Sequence, residues 1–440
     1  MTTLSEAIAA ANAADLLPDR TQARAAELTG PFELIDSLDA GEGAYLALVR
    51  AGDRILVVPG QLDATGFHRA AVSARILNSE STANFRIELI DPIINSHLSQ
   101  ESINTSERQI TVDQSNDSVI VNEQIMLKWQ INATLSPAPS RLRMLASHSE
   151  NTPITPAPLA IIEWTDPETD QVLTLATATE FVPDSRDGWE WAVDLVRAFA
   201  QGEGVDAISP FATIGQLTGL MHVAFAQSNP HDESIEILET NAITQFAESA
   251  QVDLEMACTL IDGDEGDRLR QRRNMISEHL GELNSIDHTI AIDTHGDFHV
   301  GQILKSPTDQ YFIVDFDGSP VLTPQERLKK QPAARDIAGM LASIDHVARV
   351  VNYRTEGLEP QAALIWSAHA QEAFLMAYKD VLRQHDLLKI LDERLLKPFM
   401  LHQELREYIY SVRHLPHWRY VPDAVITSMF PVKDLDEGVI

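Results

Sequence analysis

Cysteine is nearly absent from this chain. Cys258 stands alone among 440 residues, which excludes an internal disulfide and any cysteine-based zinc centre. Basic side chains are scarce as well: 33 Lys and Arg face 65 Asp and Glu, a net charge of −32, and a field of that sign repels nucleic-acid phosphates and anionic membrane. Long apolar runs are missing too. Nowhere do roughly 18 apolar residues follow one another, so no bilayer span is expected. The opening MTTLSEAIAAANAADLLPDR has no basic n-region and carries Glu6 and Asp15 inside its apolar pattern, unlike a secretory signal. The expectation is a cytoplasmic, monomeric protein whose partner is a small molecule rather than a nucleic acid or a membrane.

What is present is ordinary globular material, 44% apolar and 22% charged, in a chain too long for one core. Residues 1–92 read as an α+β cap domain, with an Ala-rich helix followed by strand-like runs Ala44–Val49 and Arg54–Val58. Residues 93–184 read as a strand-rich lobe. Its polar stretch 97–118 leads into a strand pair, Ser118–Val121 and Gln124–Trp129, turning at Asn122-Glu123; strands return at Leu159–Trp164 and Leu173–Phe181. Between them SPAPS (136–140) and TPITPAP (152–158) carry prolines that helices and central strands do not tolerate. From 185 to 440 the texture is helical, with amphipathic stretches Trp189–Phe199, Ser234–Leu260 and Arg268–Leu280, and again from 330 to about 415. Cys258 falls in one of these and reads as a small core residue.

The chemistry concentrates in Thr289–Pro320, TIAIDTHGDFHVGQILKSPTDQYFIVDFDGSP. It reads as a strand, a polar loop His295–Gln302, and a strand pair whose second member, Tyr311–Phe316, ends in acidic residues. Phosphoryl transfer from ATP to a hydroxyl needs one carboxylate to accept from that hydroxyl and two oxygen ligands to hold magnesium on the phosphates. Asp297, Gln302 and Asp315 supply such groups. His295, Asp297 and His299 would also serve a hydrolytic zinc or iron centre, although Gln302 and the Asp315-x-Asp317 pair suit magnesium better. His295 and His299 read as loop-bracing residues and Asp336 as a loop-orienting acceptor.

These motifs resemble the aminoglycoside phosphotransferase-like kinases, whose signature is a His-Gly-Asp-x-His loop, an amide residue and an Ile-Asp-Phe-type strand. Gln302, where the wider group has Asn, together with Arg335-Asp336 in RDIAGMLASID, resembles the maltokinase branch. The resemblance implies an α+β, bilobal protein-kinase-like fold with ATP in the cleft between lobes. It implies Asp297 as catalytic base, Gln302 and Asp315 as magnesium ligands, and Asp317 as a second acidic ligand. A kinase N-lobe covers the nucleotide phosphates with a turn-rich hairpin and a strand lysine. Ser115, Asn116 and Ser118 match the hairpin and Lys128 the lysine, while Glu180 and Val182, flanking Phe181, match the adenine hinge. DSRDGWEW (184–191) resembles the segment after that hinge. The pattern departs in one respect: Thr134–Ser149 has no acidic residue to hold the lysine, and a strand-end lysine is ordinarily just solvated.

For the acceptor, HQELREYIYSVRHLPHWRYVPD (402–423) sets Gln403, Glu404 and Glu407 within about one helical turn, then Trp418 and Tyr420. Carboxylates beside an aromatic ring suit a sugar, above all one bearing an ammonium group. The segment resembles that of the actinobacterial glucosamine kinases, which implies transfer from ATP to glucosamine, giving glucosamine 6-phosphate, with Asp345 as a further sugar contact. Maltose phosphorylation is the second reading, and a nucleotide-binding pseudokinase or regulatory module the third. The plain alternative for the helix is a solvated charged face with Trp418 packed as core.

Overall fold

The computed structural model of the chain describes residues 2–18, 21, 28, 31–98, 106–110, 116–148, 152–228 and 234–432. Two compact units emerge. The first holds 1–146, 155–183 and 320–328, and the second 147–154, 184–319 and 329–440.

The first unit is built on one sheet. Helices α1 (Leu4–Ala10) and α2 (Ala13–Leu16) precede strands β1 (Glu33–Asp39), β2 (Ala44–Ala51), β3 (Arg54–Asp63) and β4 (Gly66–Arg69). Helix α3 (Ser73–Leu77), β5 (Phe85–Leu89), α4 (Ile94–His97), β6 (Glu107–Gln109), β7 (Asn116–Val121) and β8 (Ile125–Thr134) follow. Then come α5 (Ala138–Ala146), β9 (Pro158–Thr165) and β10 (Val172–Glu180). The strands form a ten-stranded sheet ordered β1-β2-β3-β8-β10-β9-β5, with β4 on β3, and β6 and β8 on either side of β7. Successive side chains of a strand point to opposite faces, and β2 buries both. Leu46 and Leu48 enter one core with Trp129, Trp164 and Phe85, while Ala47 and Val49 enter another with Ile8, Leu16 and Phe67. That double burial is why AYLALVRA is apolar without alternation.

Two local readings change. Helix α5 begins inside SPAPS, at Ala138, and runs through Pro139; proline is tolerated in a first turn because its missing N–H would have no partner there. Its Arg143 bonds Glu88 and Glu163 on β5 and β9 at 2.7 Å, so this helix is basic where a lysine-holding helix would be acidic. Strand β8 continues to Thr134, which puts Lys128 inside the strand rather than at its end.

The second unit is helical. Helices α6 (Gly188–Ala200) and α7 (Ser209–Gln227) lead to β11 (Glu236–Glu239), α8 (Thr240–Leu260), α9 (Gly263–Gly281) and β12 (His288–Ala291). Strands β13 (Ile303–Lys305) and β14 (Tyr311–Ile313) follow the loop 295–302. After α10 (Pro324–Arg327), which belongs to the first unit, the chain completes the second with α11 (Ala334–Arg354), α12 (Pro360–Gln384), α13 (Leu396–His414) and α14 (Tyr420–Met429). The helix expected from Ser234 therefore starts at Thr240, because 236–239 pairs with 288–291 as a two-stranded ribbon. Helix α7 carries no charge, and at Gly215 it lies so close to α12 that an added Cβ would sit 2.2 Å from the Phe374 carbonyl. Cys258 is buried among Leu254, Leu269 and Leu405. No helix of the described residues is long and apolar enough to cross a membrane.

Candidate active site

The loop 295–302 is held from behind by α11. Asp336, in the first turn of that helix, is almost fully buried. Its carboxylate accepts from the backbone N–H of His295 at 2.6 Å and of Gly296 at 2.9 Å, and from His222 Nε2 at 3.1 Å. Tyr378 O–H in turn donates to His222 Nδ1 at 2.9 Å. Burial opposes the charge on Asp336, but the His222 bond, the histidines and the Gly296 amide together hold its carboxyl below the ordinary range. Two turns further along α11, Ser343 Oγ accepts the Val300 N–H at 2.9 Å.

Inside the loop both histidines are committed. His295 Nε2–H donates to the Val314 carbonyl at 2.8 Å, and its Nδ1 accepts the Asp297 N–H at 3.4 Å. His299 Nδ1 accepts the Gly301 N–H at 3.0 Å. Among the described residues no group of three His, Cys, Asp or Glu is placed to hold a metal ion. Both His295 nitrogens are engaged within the loop, which weighs against a histidine-ligated hydrolytic centre.

Asp297 is thus presented on a braced loop. Burial pushes its carboxyl above the ordinary range, His299 and His295 oppose the rise, and Asp315 and Glu407 add to it. Asp297, Asp315 and Glu407 therefore share one electrostatic neighbourhood. Gln302 ends a short 3-10 turn, with its N–H on the His299 carbonyl at 2.9 Å and its carbonyl taking the Val314 N–H at 3.0 Å. Strand β14 stops at Ile313, shorter than the sequence suggests, so Asp315 is not a strand-end residue. It lies two residues beyond, exposed, with φ 66°. Aspartate enters the left-handed region more readily than most residues, and Asp170, Asp184, Asp309 and Asp386 share it. Asp317 follows, half-buried. Gln302, Asp315 and Asp317 offer only hard oxygen donors, and magnesium is bound through one or two carboxylates plus substrate phosphates rather than by an all-protein cage. The donor set fits it.

The acceptor residues named from sequence also come together. Gln403 Nε2 donates to Glu407 Oε1 at 3.0 Å, and the Trp418 indole N–H to Glu407 Oε2 at 3.1 Å. Trp418 meets Trp189 edge to face at 5.6 Å. Glu404 is fully buried, its two oxygens 2.9 and 3.1 Å from His346 Nε2. Asp345 accepts from Arg349 Nε at 3.1 Å and from Ser367 Oγ at 3.3 Å. His346, His222, Tyr378, Ser343 and Trp189 were not singled out from sequence. Only the WEW pattern and the histidine beside Asp345 were visible there, and neither reveals its partner.

In the first unit, Ser115 lies outside the described residues. Asn116 and Ser118 are buried strand residues of β7 rather than part of a turn, because the strand starts at Asn116. In register, Ser118 and Thr177 stand opposite Lys128 on β7 and β10, which puts the three on one face. The turn between β7 and β8 has Asn122 and Glu123 at φ 55° and 53°, the twist that tight hairpins prefer. The Glu180 N–H donates to the Ala157 carbonyl and the Phe181 N–H to the Gln124 carbonyl, both at 2.8 Å. Glu180 is exposed and Val182 half-buried.

No protein-family model matches the chain. It is 37% identical over 450 residues to a glucosamine kinase of Streptacidiphilus jiangxiensis, covering 97% of this chain and 98% of that protein. A glucosamine kinase of Mycolicibacterium smegmatis is 34% identical over 419 residues, covering 92% and 98%. Among solved structures, a glucosamine kinase in complex with glucosamine, ADP and inorganic phosphate superposes with a TM-score of 0.83 at 36% identity, over 98% of this chain and all of that one. A second crystal form of a glucosamine kinase gives 0.85 at the same identity and coverage. Full-length similarity at this level places the chain in the glucosamine kinase family.

Proposed function

We propose that this chain transfers the γ-phosphate of ATP to glucosamine, giving glucosamine 6-phosphate. The observation that carries the reading is that one helix, α11, braces the Asp297 loop through Asp336 and Ser343 and bonds the acceptor helix α13 through His346 and Glu404, in a chain similar along its whole length to kinases of that name.

In this reading the acceptor hydroxyl lies against Asp297. The Asp297 carboxylate takes its proton as the oxygen attacks the γ-phosphorus, the bond to the bridging oxygen breaks, and ADP departs. The raised carboxyl makes Asp297 a better base than an exposed aspartate. Magnesium, when bound, neutralises phosphate charge, and Gln302, Asp315 and Asp317 would hold it. Lys128 with Asn116, Ser115 and Ser118 would serve the nucleotide phosphates, and Glu180 and Val182 the adenine. Glu407, Gln403, Asp345 and Trp418 would orient the sugar, with Glu404 behind them. A cytoplasmic monomer, and a division into a 1–92 N-terminal cap domain, a 93–184 N-lobe and a 185–440 helical C-lobe, belong to the same proposal.

The acceptor is tested by measuring ADP release with Mg-ATP against glucosamine, glucose, N-acetylglucosamine, maltose and an aminoglycoside. Glucosamine is expected to lead in kcat/KM by about a hundredfold, since a site built for a charged partner rejects analogues lacking it. A lead for maltose would overturn the acceptor and leave phosphoryl transfer standing; no turnover of any sugar would favour a regulatory module.

A further inference from the structure

Glu404 and Glu407 stand three residues, about one turn, apart on α13, but their surroundings differ. Glu407 is half-buried, and its donors are a neutral amide and a neutral indole. Among the described residues no cation pairs with it. Glu404 is wholly buried, and both its oxygens converge on His346 Nε2 across from α11. The third carboxylate of the group, Asp345, is already matched by Arg349 on its own helix. The Trp418 ring meets His346 edge to face at 6.0 Å, so one indole touches both the histidine and, through its N–H, Glu407.

We propose that His346 is a positioning residue that sets the charge of the acceptor group: by closing Glu404 into an internal ion pair, it leaves Glu407 as the carboxylate of that group with no ion-pair partner among the described residues, available to a cationic sugar. This rests on the acceptor reading above and deepens it. Burial works against a charged imidazole, but Glu404, Glu407 and Asp345, which face it from α13 and α11, overcome that and lift His346 to about 9. Burial also pushes the Glu404 carboxyl up, and the His346 charge and bond oppose that rise, so the pair is held closed by the 2.9 and 3.1 Å contacts through neutral pH. A buried carboxylate without such a partner takes up a proton instead. Charge in this pocket is then constant over the range in which the enzyme would meet its substrate, and a lone ammonium finds a lone carboxylate.

The test is the KM for glucosamine of His346→Gln divided by that of the wild type, followed from mildly acid to mildly alkaline pH. Ionisation of the substrate's own amine cancels in that ratio. Gln keeps a donor toward Glu404 but removes the charge, so Glu404 becomes free to titrate. The ratio is expected to start near one and to fall up to about tenfold as Glu404 ionises and adds a second negative charge beside the ammonium, with kcat changed little. The double variant His346→Gln/Glu404→Gln is expected to restore a flat ratio near one. It also covers a failure of the single variant to fold, since it leaves no buried unpaired charge. A single-variant ratio that is flat with pH, or a double variant with KM raised tenfold or more, would overturn the proposal, the second because Glu404 would then be gripping the sugar itself. A wild type that does not prefer glucosamine in the acceptor panel would overturn the acceptor reading and this inference with it, and that result is read separately.

Discussion

At Asp297 the ordering of effects on one carboxyl carries a kinetic expectation. Burial raises it, and the two loop histidines only partly offset the rise. A base must be ionised to work, so activity is present above the raised value and lost as pH falls through it. The acid limb of kcat/KM should therefore lie above the usual carboxylate range. Asp297→Asn should lower kcat by about a thousandfold while leaving nucleotide affinity, measured by calorimetry, nearly unchanged; comparable turnover would remove the proposed base. Asp336 differs in kind, since it touches only protein. Asp336→Asn replaces an acceptor of three hydrogen bonds with a group that cannot accept all three, and should cost about 3 kcal/mol in urea unfolding. Because the loop it braces also shifts, kcat should fall about tenfold or more. Asp297, Gln302, Asp315, Glu407 and Trp418 could be named from sequence because short-range spacing and a family resemblance single them out. His346 and His222 could not, because their meaning comes from Glu404 and Asp336, which lie on other helices.

Among the elements, the start of α6 shows how tightly the loop is seated. A Cβ on Gly188 would fall 1.6 Å from the Val300 carbonyl oxygen, so the helix and the loop after Asp297 are in backbone contact. Trp191, one turn on, donates its indole N–H to the Ile303 carbonyl at 3.1 Å, fixing the same helix to β13. Gly188→Ala should destabilise the fold by about 2–3 kcal/mol through overpacking and raise KM and lower kcat together. A thermal midpoint unchanged from wild type would contradict the close seating. The sequence placed a helix from Trp189; the structure starts it at Gly188, with Asp187 as cap accepting the Glu190 N–H at 3.1 Å. The need for glycine was not legible, because it comes from a segment more than a hundred residues away. Element boundaries moved for similar reasons. Ribbon pairing turned 236–239 from helix to strand, and a first-turn proline was compatible with α5.

For the whole molecule, the net charge of −32 means that folding brings many like charges together, and self-repulsion opposes the compact state. Raising ionic strength from about 0.01 M to 0.15 M shortens the Debye length from about 30 Å to 8 Å, so the urea midpoint should rise with sodium chloride before any specific ion effect enters. A midpoint that falls with salt would mean that attractive ion pairs, such as the partly buried Arg69–Asp117 and Arg268–Asp423 bridges, outweigh the net repulsion. By itself the sequence determined that sign, the presence of packed cores, the strand-to-helix change of texture, and the loop that offers Asp297 and Gln302, because composition, periodicity and residue spacing are local properties of the chain. Only tertiary structure decided which carboxylates are spent and which are available. Pairing Glu404 with His346, clamping the loop amides on Asp336 and bringing Glu407 near Asp297 all require α11 and α13 to pack within the second unit, and contacts between distant segments leave no spacing in the sequence to read.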